Sequence, residues 1–190
     1  MKKILITLGV LTICAVSIQL ASHHYRYDLY KLAIEMEASK SDFVAKSGVI
    51  DNDKFSYLES PRGADQETIF MLHGFSASKE NWLRYSAALE GKYHIVALDL
   101  LGHGENATDL SESYTIEAQV EFVKRVAKNL AIERFHLVGN SMGGAISSLY
   151  SARYPEQVLS AVLISPAGIH DFPSRMDELL ETGINPLIPS

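Results

Sequence analysis

At 190 residues, with 47% hydrophobic and 21% charged residues, the chain has room for one domain with a sizeable core and is too apolar to be read as disordered. A formal net charge of −6 and the lack of a basic stripe interleaved with aromatics exclude nucleic acid as an expected partner. The single cysteine, Cys14, permits no intrachain disulfide and no cysteine-based metal site, and the seven histidines are scattered apart from His23-His24, so no metal is expected.

Lys2 and Lys3 precede an uncharged run from Ile4 to Ala21, the pattern of a secretory signal or a signal anchor. The run approaches the roughly 20 residues of a spanning helix. No processing site is clean: Ala15-Val16-Ser17 leaves a short apolar core, and Ile13 is bulky just before Cys14. The expectation is an uncleaved anchor over 1–22, lysines on the cytoplasmic side and the remainder on the other. Cleavage to a secreted or periplasmic product stays open. Over 23–43, Tyr25, Leu29, Leu32 and Met36 recur at helical spacing and predict an amphipathic connector. Its Tyr25, Tyr27 and Tyr30 suit a membrane interface, and packing on the domain is the equal alternative.

Val44–Ile50 and Phe55–Glu59 read as two strands of a hairpin around the turn-forming Asp51-Asn52-Asp53. Strand and helix then alternate. Thr68–Leu72 is an apolar strand ending at His73-Gly74. Lys79–Glu90 places Trp82, Tyr85 and Leu89 on one helical face, with Ser78 as N-cap and Gly91 as the stop. His94–Leu98 is a strand running into Asp99 and the loop Gly102-His103-Gly104. A helix starts near Thr115 with Ile116, Val120, Val123, Ala127 and Leu130 inward and a Glu121–Arg125 pair outward. Phe135–Val138 is a strand, Ala145–Tyr150 a helix closed by Tyr154-Pro155, and Val158–Ile164 a further strand. Near-continuous apolar strands alternating with helices predict a mostly parallel sheet covered on both faces. Ligand chemistry in such sheets sits at the carboxyl ends of the strands. His73-Gly74-Phe75, the Asp99–Gly104 loop and Ser141 all fall there.

Gly139-Asn140-Ser141-Met142-Gly143, between a strand and a helix, has the layout of a nucleophile elbow. A sharp strand-to-helix turn strains the serine and brings the residues two away so close that only glycine fits. The helix start offers free N–H groups to a developing oxyanion.

These motifs, in this order, resemble the α/β-hydrolase family: His73-Gly74-Phe75, Asp99-x-x-Gly102-His103-Gly104, then Gly139-Asn140-Ser141-Met142-Gly143-Gly144. His73-Gly74-Phe75-Ser76-Ala77 with Trp82, Phe135-His136-Leu137-Val138-Gly139 and Ser165-Pro166-Ala167-Gly168 are similar to its membrane-anchored monoacylglycerol-lipase-like branch, with Asn185-Pro186-Leu187-Ile188-Pro189 a weaker echo. The resemblance implies an α/β-hydrolase core over 44–169, a cap segment starting at 170–190, and a serine esterase or lipase without cofactor, acting on small or lipid esters such as monoacylglycerols. It makes Ser141 the nucleophile, the backbone N–H groups of Phe75 and Met142 the oxyanion hole, and Phe75, Ser76, Trp82 and Met142 the substrate wall. By the same resemblance His73 and His103 hold loops. Ser165 occupies the place where some relatives carry the acid and cannot serve as one, and His170 and Asp171 enter the cap. The family order is nucleophile, acid, histidine; only the first is recognisable here, and the expectation is a fragment, weakly soluble and weakly hydrolytic on its own. Two other readings stay open: a carbon–carbon bond hydrolase of the same fold, which the turn at Gly74–Ala77 and the anchor disfavour, and a non-catalytic hydrolase-fold protein.

Overall fold

The computed structural model describes Thr12, Val16, Ser17, Gln19 and residues 23–86, 88, 89, 91–106 and 113–168. The expected anchor at 1–22 (those four residues apart), the cap at 170–190 and the candidates His170 and Asp171 lie outside the described residues. No helix among the described residues is long and apolar enough to cross a membrane. The chain divides into two units, Met1–Ser41 and Asp42–Ser190. The first contains helix α1 (Arg26–Ala38), which buries none of its residues; Tyr27, Leu29, Tyr30, Leu32 and Met36 are all exposed.

The second unit is built on six strands: β1 (Val44–Ile50), β2 (Asp53–Glu59), β3 (Thr68–Leu72), β4 (His94–Leu98), β5 (Phe135–Asn140) and β6 (Val158–Ile164). Their order is β1-β2-β4-β3-β5-β6. The β1–β2 hairpin is antiparallel and β2 runs antiparallel to β4. The β4–β3–β5–β6 block is parallel. The hairpin loop is tighter than the sequence suggests. Asp51 and Asn52 both take positive φ, 52° and 76°, as a two-residue hairpin turn requires, and β2 therefore starts at Asp53 instead of Phe55.

Side chains alternate across each strand, and one face carries Phe55, Tyr57, Phe70, Leu72, Val96, Leu98, Phe135 and Leu137. These pack with Val120, Val123, Val126 and Ala127 of α3 (Ile116–Asn129) and Ile146 and Tyr150 of α4 (Met142–Arg153). Phe135 is the hinge of this layer, its ring 4.7 Å from Phe70 and 5.5 Å from Tyr150. The start of α3 is set by Thr115, whose hydroxyl accepts the Ala118 N–H at 3.3 Å. The expected Glu121–Arg125 pair is not made. Arg125 reaches Asp51 at 2.9 Å, and Glu121 accepts the Tyr154 hydroxyl at 2.6 Å. Exposed i,i+4 pairs contribute only about 0.2–0.5 kcal/mol, so better-placed partners displace them.

On the other face Ile69, Met71, Ile95 and Ala97 are buried, and a 3-10 turn, Lys79–Trp82, packs against β3 and β4. This turn runs into the one-turn helix α2 (Leu83–Ser86). The sequence predicted a continuous helix over Lys79–Glu90; the 3-10 start is imposed by tertiary bonds to Lys79 described below. Ser78 is extended and makes no capping bond, whereas Gly91 takes the left-handed φ of 71° expected of a stop. Beyond β5, Val162, Leu163 and Ile164 of β6 are exposed.

Candidate active site

Three strand ends converge at the carboxyl edge of the parallel block: β3 at Leu72, β4 at Leu98 and β5 at Asn140. Ser141 is the single residue between β5 and α4. Its backbone sits at φ 52°, ψ −114°, a region an L-residue occupies only under compulsion and at a cost of about 1–3 kcal/mol. The compulsion is visible on both sides. The Ser141 N–H donates to Ile164 O at 2.9 Å, and its carbonyl accepts from Ala145 N–H at 3.1 Å and Ala167 N–H at 3.0 Å. The side chain makes no capping bond to its own helix, so Oγ is left for other chemistry.

The flanking glycines are required by space, not by conformation. A Cβ on Gly139 would collide with the Gly143 carbonyl; one on Gly143 would collide with the carbonyls of Leu72 and His73. Gly144 is also constrained, since a Cβ there would lie 2.9 Å from Pro166 Cα. Ser165-Pro166-Ala167 thus buttresses the elbow from behind, a role with no local signal in the sequence. Ser165 itself closes β6 at φ 43°.

The turn after β3 lies directly against the elbow. A Cβ built on Gly74 would stand 3.3 Å from Ser141 Cβ and 3.4 Å from Asn140 Nδ2. The turn is closed by Ala77 N–H to Gly74 O at 3.3 Å, with Ser76 at φ 57°. Phe75 is 52% exposed and Ser76 is exposed. Met142, the first residue of α4, is half-buried against the core, and the N–H groups of Met142, Gly143 and Gly144 precede the first residue that can find an intrahelical carbonyl. Trp82, expected beside the substrate, is 4% exposed, and its ring meets Tyr85 edge-on at 5.8 Å. Its indole N–H has no partner among the described residues.

His73 is buried and both of its nitrogens are engaged. Leu100 N–H donates to Nε2 at 3.0 Å, which leaves Nδ1 protonated and donating to Gly74 O at 2.7 Å. Burial holds its pKa below 6.5, against the opposing bond to Gly74. A neutral imidazole with no free lone pair is a loop holder, not a base. His103 donates Nδ1–H to Leu101 O at 3.0 Å, and its ring lies edge-on to Phe75 at 5.6 Å and 5.2 Å from His73. Asp99 is fully buried. Its carboxylate accepts Lys79 N–H at 2.8 Å, Lys79 Nζ at 2.7 Å and Glu105 N–H at 3.0 Å. Gly104 wraps it so closely that a Cβ would overlap the carboxylate.

Lys79 is the residue that sequence reasoning missed. A lysine between Ser78 and Glu80 reads as a solvated charge, yet it is 1% exposed, with Asp99, Glu80 and Glu105 within 3.2 Å of Nζ. Burial acts to lower its pKa, but the bond and charge of Asp99 outweigh it and raise the pKa above 10.5. Asn106 completes the loop: its Oδ1 accepts Ser56 N–H at 2.8 Å and its Nδ2 donates to Asp99 O at 2.6 Å.

The buried histidines set an acid limb for stability. His94, bonded to Thr68 Oγ1 at 3.0 Å and Glu59 at 2.8 Å, is, like His73, depressed by burial below 6.5. The unfolded chain therefore takes up protons before the folded one does. The stability these groups contribute is whole above their unfolded pKa and is lost as pH falls through the folded values. The melting temperature is expected to drop between about pH 8 and about pH 5, and His73→Asn should flatten that slope. A melting temperature unchanged over the range contradicts the assignment.

Among described residues after Ser141, 142–168, there is no aspartate and no histidine. Among the described residues no group of three metal-ligating side chains occurs.

The profile of the alpha/beta hydrolase fold family matches residues 67–185, from β3 through β6 and beyond. Lipase 1 of Psychrobacter immobilis is 42% identical over 138 residues, which are 71% of this chain and 43% of its own length. A monoacylglycerol lipase of Xenopus laevis is 32% identical over 174 residues, 86% of this chain and 50% of its own length. The crystal structure of a membrane phospholipase A superposes with a TM-score of 0.79 at 38% identity, covering 98% of this chain and 59% of that one. The chain spans about half the length of the curated relatives it matches. With strand order, elbow geometry and profile in agreement, the chain belongs to the alpha/beta hydrolase fold family.

Proposed function

We propose that this chain carries the nucleophile and oxyanion hole of a serine hydrolase that cleaves carboxylic esters of lipid-like substrates, monoacylglycerols among them. One observation carries the reading: Ser141 is held at φ 52°, ψ −114° with the Gly74 turn packed against it. Ser141 Oγ attacks the ester carbonyl, its proton passes to a histidine base, the alcohol leaves, and water releases the acid from the acyl-enzyme. The N–H groups of Phe75 and Met142 receive the oxyanion, each contributing about 10²–10³ in rate. The exposed Phe75 ring, with Ser76 and Met142, forms the near wall of the acyl site. The acid and the base are expected beyond the described residues: both nitrogens of His73 are engaged, and 142–168 holds no aspartate and no histidine. The substrate class is supported by the names of the relatives, a lipase, a monoacylglycerol lipase and a membrane phospholipase A.

The uncharged run from Ile4 to Ala21 and the exposed tyrosines of α1 fit an enzyme anchored at a membrane, its catalytic unit on the non-cytoplasmic side. The full chain is then expected in the membrane fraction, released by detergent and not by high salt. Release by salt alone contradicts an anchor.

The functional test is hydrolysis of 2-oleoylglycerol and p-nitrophenyl butyrate by wild type and Ser141→Ala. Any turnover by the wild type is expected to vanish in the variant. Turnover that survives in Ser141→Ala rejects this serine as the nucleophile.

A further inference from the structure

The oxyanion turn of residues 74–78 is bracketed by two buried side chains, and both reach the same loop. His73, immediately before the turn, takes the Leu100 N–H on Nε2 at 3.0 Å. Lys79, immediately after it, gives both its backbone N–H and its Nζ to the Asp99 carboxylate, at 2.8 and 2.7 Å. Asp99 and Leu100 are consecutive, so one dipeptide at the end of β4 grips both ends of the turn after β3. That dipeptide is fixed in its own right. Asp99 N–H donates to Ser56 O at 3.1 Å, Asp99 O accepts Asn106 Nδ2 at 2.6 Å, and Asp99 Oδ2 also accepts Glu105 N–H at 3.0 Å.

The direction of the Phe75 N–H follows from peptide geometry. The Gly74 carbonyl and the Phe75 N–H belong to one planar trans peptide and point in opposite directions. That carbonyl is engaged by His73 Nδ1–H at 2.7 Å and by Ala77 N–H at 3.3 Å. The Phe75 N–H therefore faces away from the His73 ring, and any rotation of the peptide breaks a buried bond. Donors aimed in advance at the developing charge are worth far more than donors that must reorient.

We propose that Lys79 and Asp99 are positioning residues for the oxyanion donor: together with His73 they clamp the 74–78 turn to the loop after β4 and so hold the Phe75 N–H in register with Ser141. The inference rests on the reading of Ser141 as nucleophile and Phe75 N–H as oxyanion donor. The clamp acts through the backbone and touches no substrate. Its loss affects the rate of bond formation at Ser141 more than the binding that precedes it.

Two readouts on the full chain test this. Hydrogen exchange by mass spectrometry in Lys79→Met should accelerate about tenfold or more in peptides covering 73–79, with 135–140 of β5 unchanged. Lys79→Arg, which keeps charge and donors, should restore part of the protection. Phosphonylation of Ser141 by an alkyl fluorophosphonate should show a maximal rate about 100-fold lower in Lys79→Met with little change in half-saturating concentration. If Lys79→Met does not fold, Glu105→Gln neutralises an outer partner of Nζ (3.2 Å), and a smaller rise in exchange confined to 73–79 is expected. Unchanged exchange at 73–79, or loosening that includes 135–140 equally, overturns the clamp. A wild type that fails to label at Ser141 counts against the nucleophile reading, and the exchange pattern still decides the clamp.

Discussion

Gly143→Ala is expected to be among the most damaging single methyl groups that can be added to this domain. The new Cβ would stand 2.7 Å from the His73 carbonyl oxygen and closer still to that of Leu72. Both obstacles are backbone at the end of β3, fully buried, and neither can rotate away as a side chain can. Relief requires α4 to lift off β3, which opens the elbow and separates Ser141 from the Gly74 turn. Overpacking usually costs about 1–3 kcal/mol and sometimes more; an obstacle made of strand backbone places this variant at the upper end. Urea or thermal unfolding measures the loss. Gly74→Ala is the control, because its Cβ would meet Ser141 Cβ and Asn140 at 3.3–3.5 Å, a crowding that small shifts relieve. Gly74→Ala should remain folded and lose reactivity. Equal stability of Gly143→Ala and wild type would show that the elbow is not packed as described.

Ser141→Ala is expected to remove reactivity altogether while leaving the fold in place, since Oγ makes no capping bond. Loss of a nucleophilic serine in an intact acyl-transfer site costs up to about 10⁶ in rate. The backbone adds a second expectation of opposite sign. At φ 52°, ψ −114° Ser141 stores strain that glycine escapes, so Ser141→Gly should raise stability by about 1 kcal/mol even as reactivity disappears. A destabilised Ser141→Gly would mean that the conformation is not strained. Stabilisation with loss of function is the signature of a site whose geometry is held against local preference.

The parts of the fold that were legible in the sequence are those written in local patterns. The strands Thr68–Leu72, His94–Leu98 and Val158–Ile164 stand out because parallel strands read as unbroken apolar runs. Thr115 announces α3 because a cap is a local bond. The elbow is readable because Gly139 and Gly143 are spelled by a steric need within five residues. What failed depends on distant partners. The predicted helix over Lys79–Glu90 followed the spacing of Trp82, Tyr85 and Leu89, but the backbone there answers to Asp99, twenty positions away. The Glu121–Arg125 pair lost to Asp51 and Tyr154, which the fold brings alongside. The engagement of His73 by Leu100, and of Asp99 and Ser56 by Asn106, joins residues that no periodicity connects. The elbow was thus visible from the chain alone, and the contacts that tie the turn after β3 to the loop after β4 were not.

Covalent capture tests most directly the proposal that Ser141 is the nucleophile of an oxyanion site. The full chain is incubated with a long-chain alkyl fluorophosphonate, digested and mapped by mass spectrometry. A single phosphonyl adduct on the peptide containing Ser141, absent in Ser141→Ala, is the result expected. An adduct on another serine, or undiminished labelling of Ser141→Ala, would contradict it.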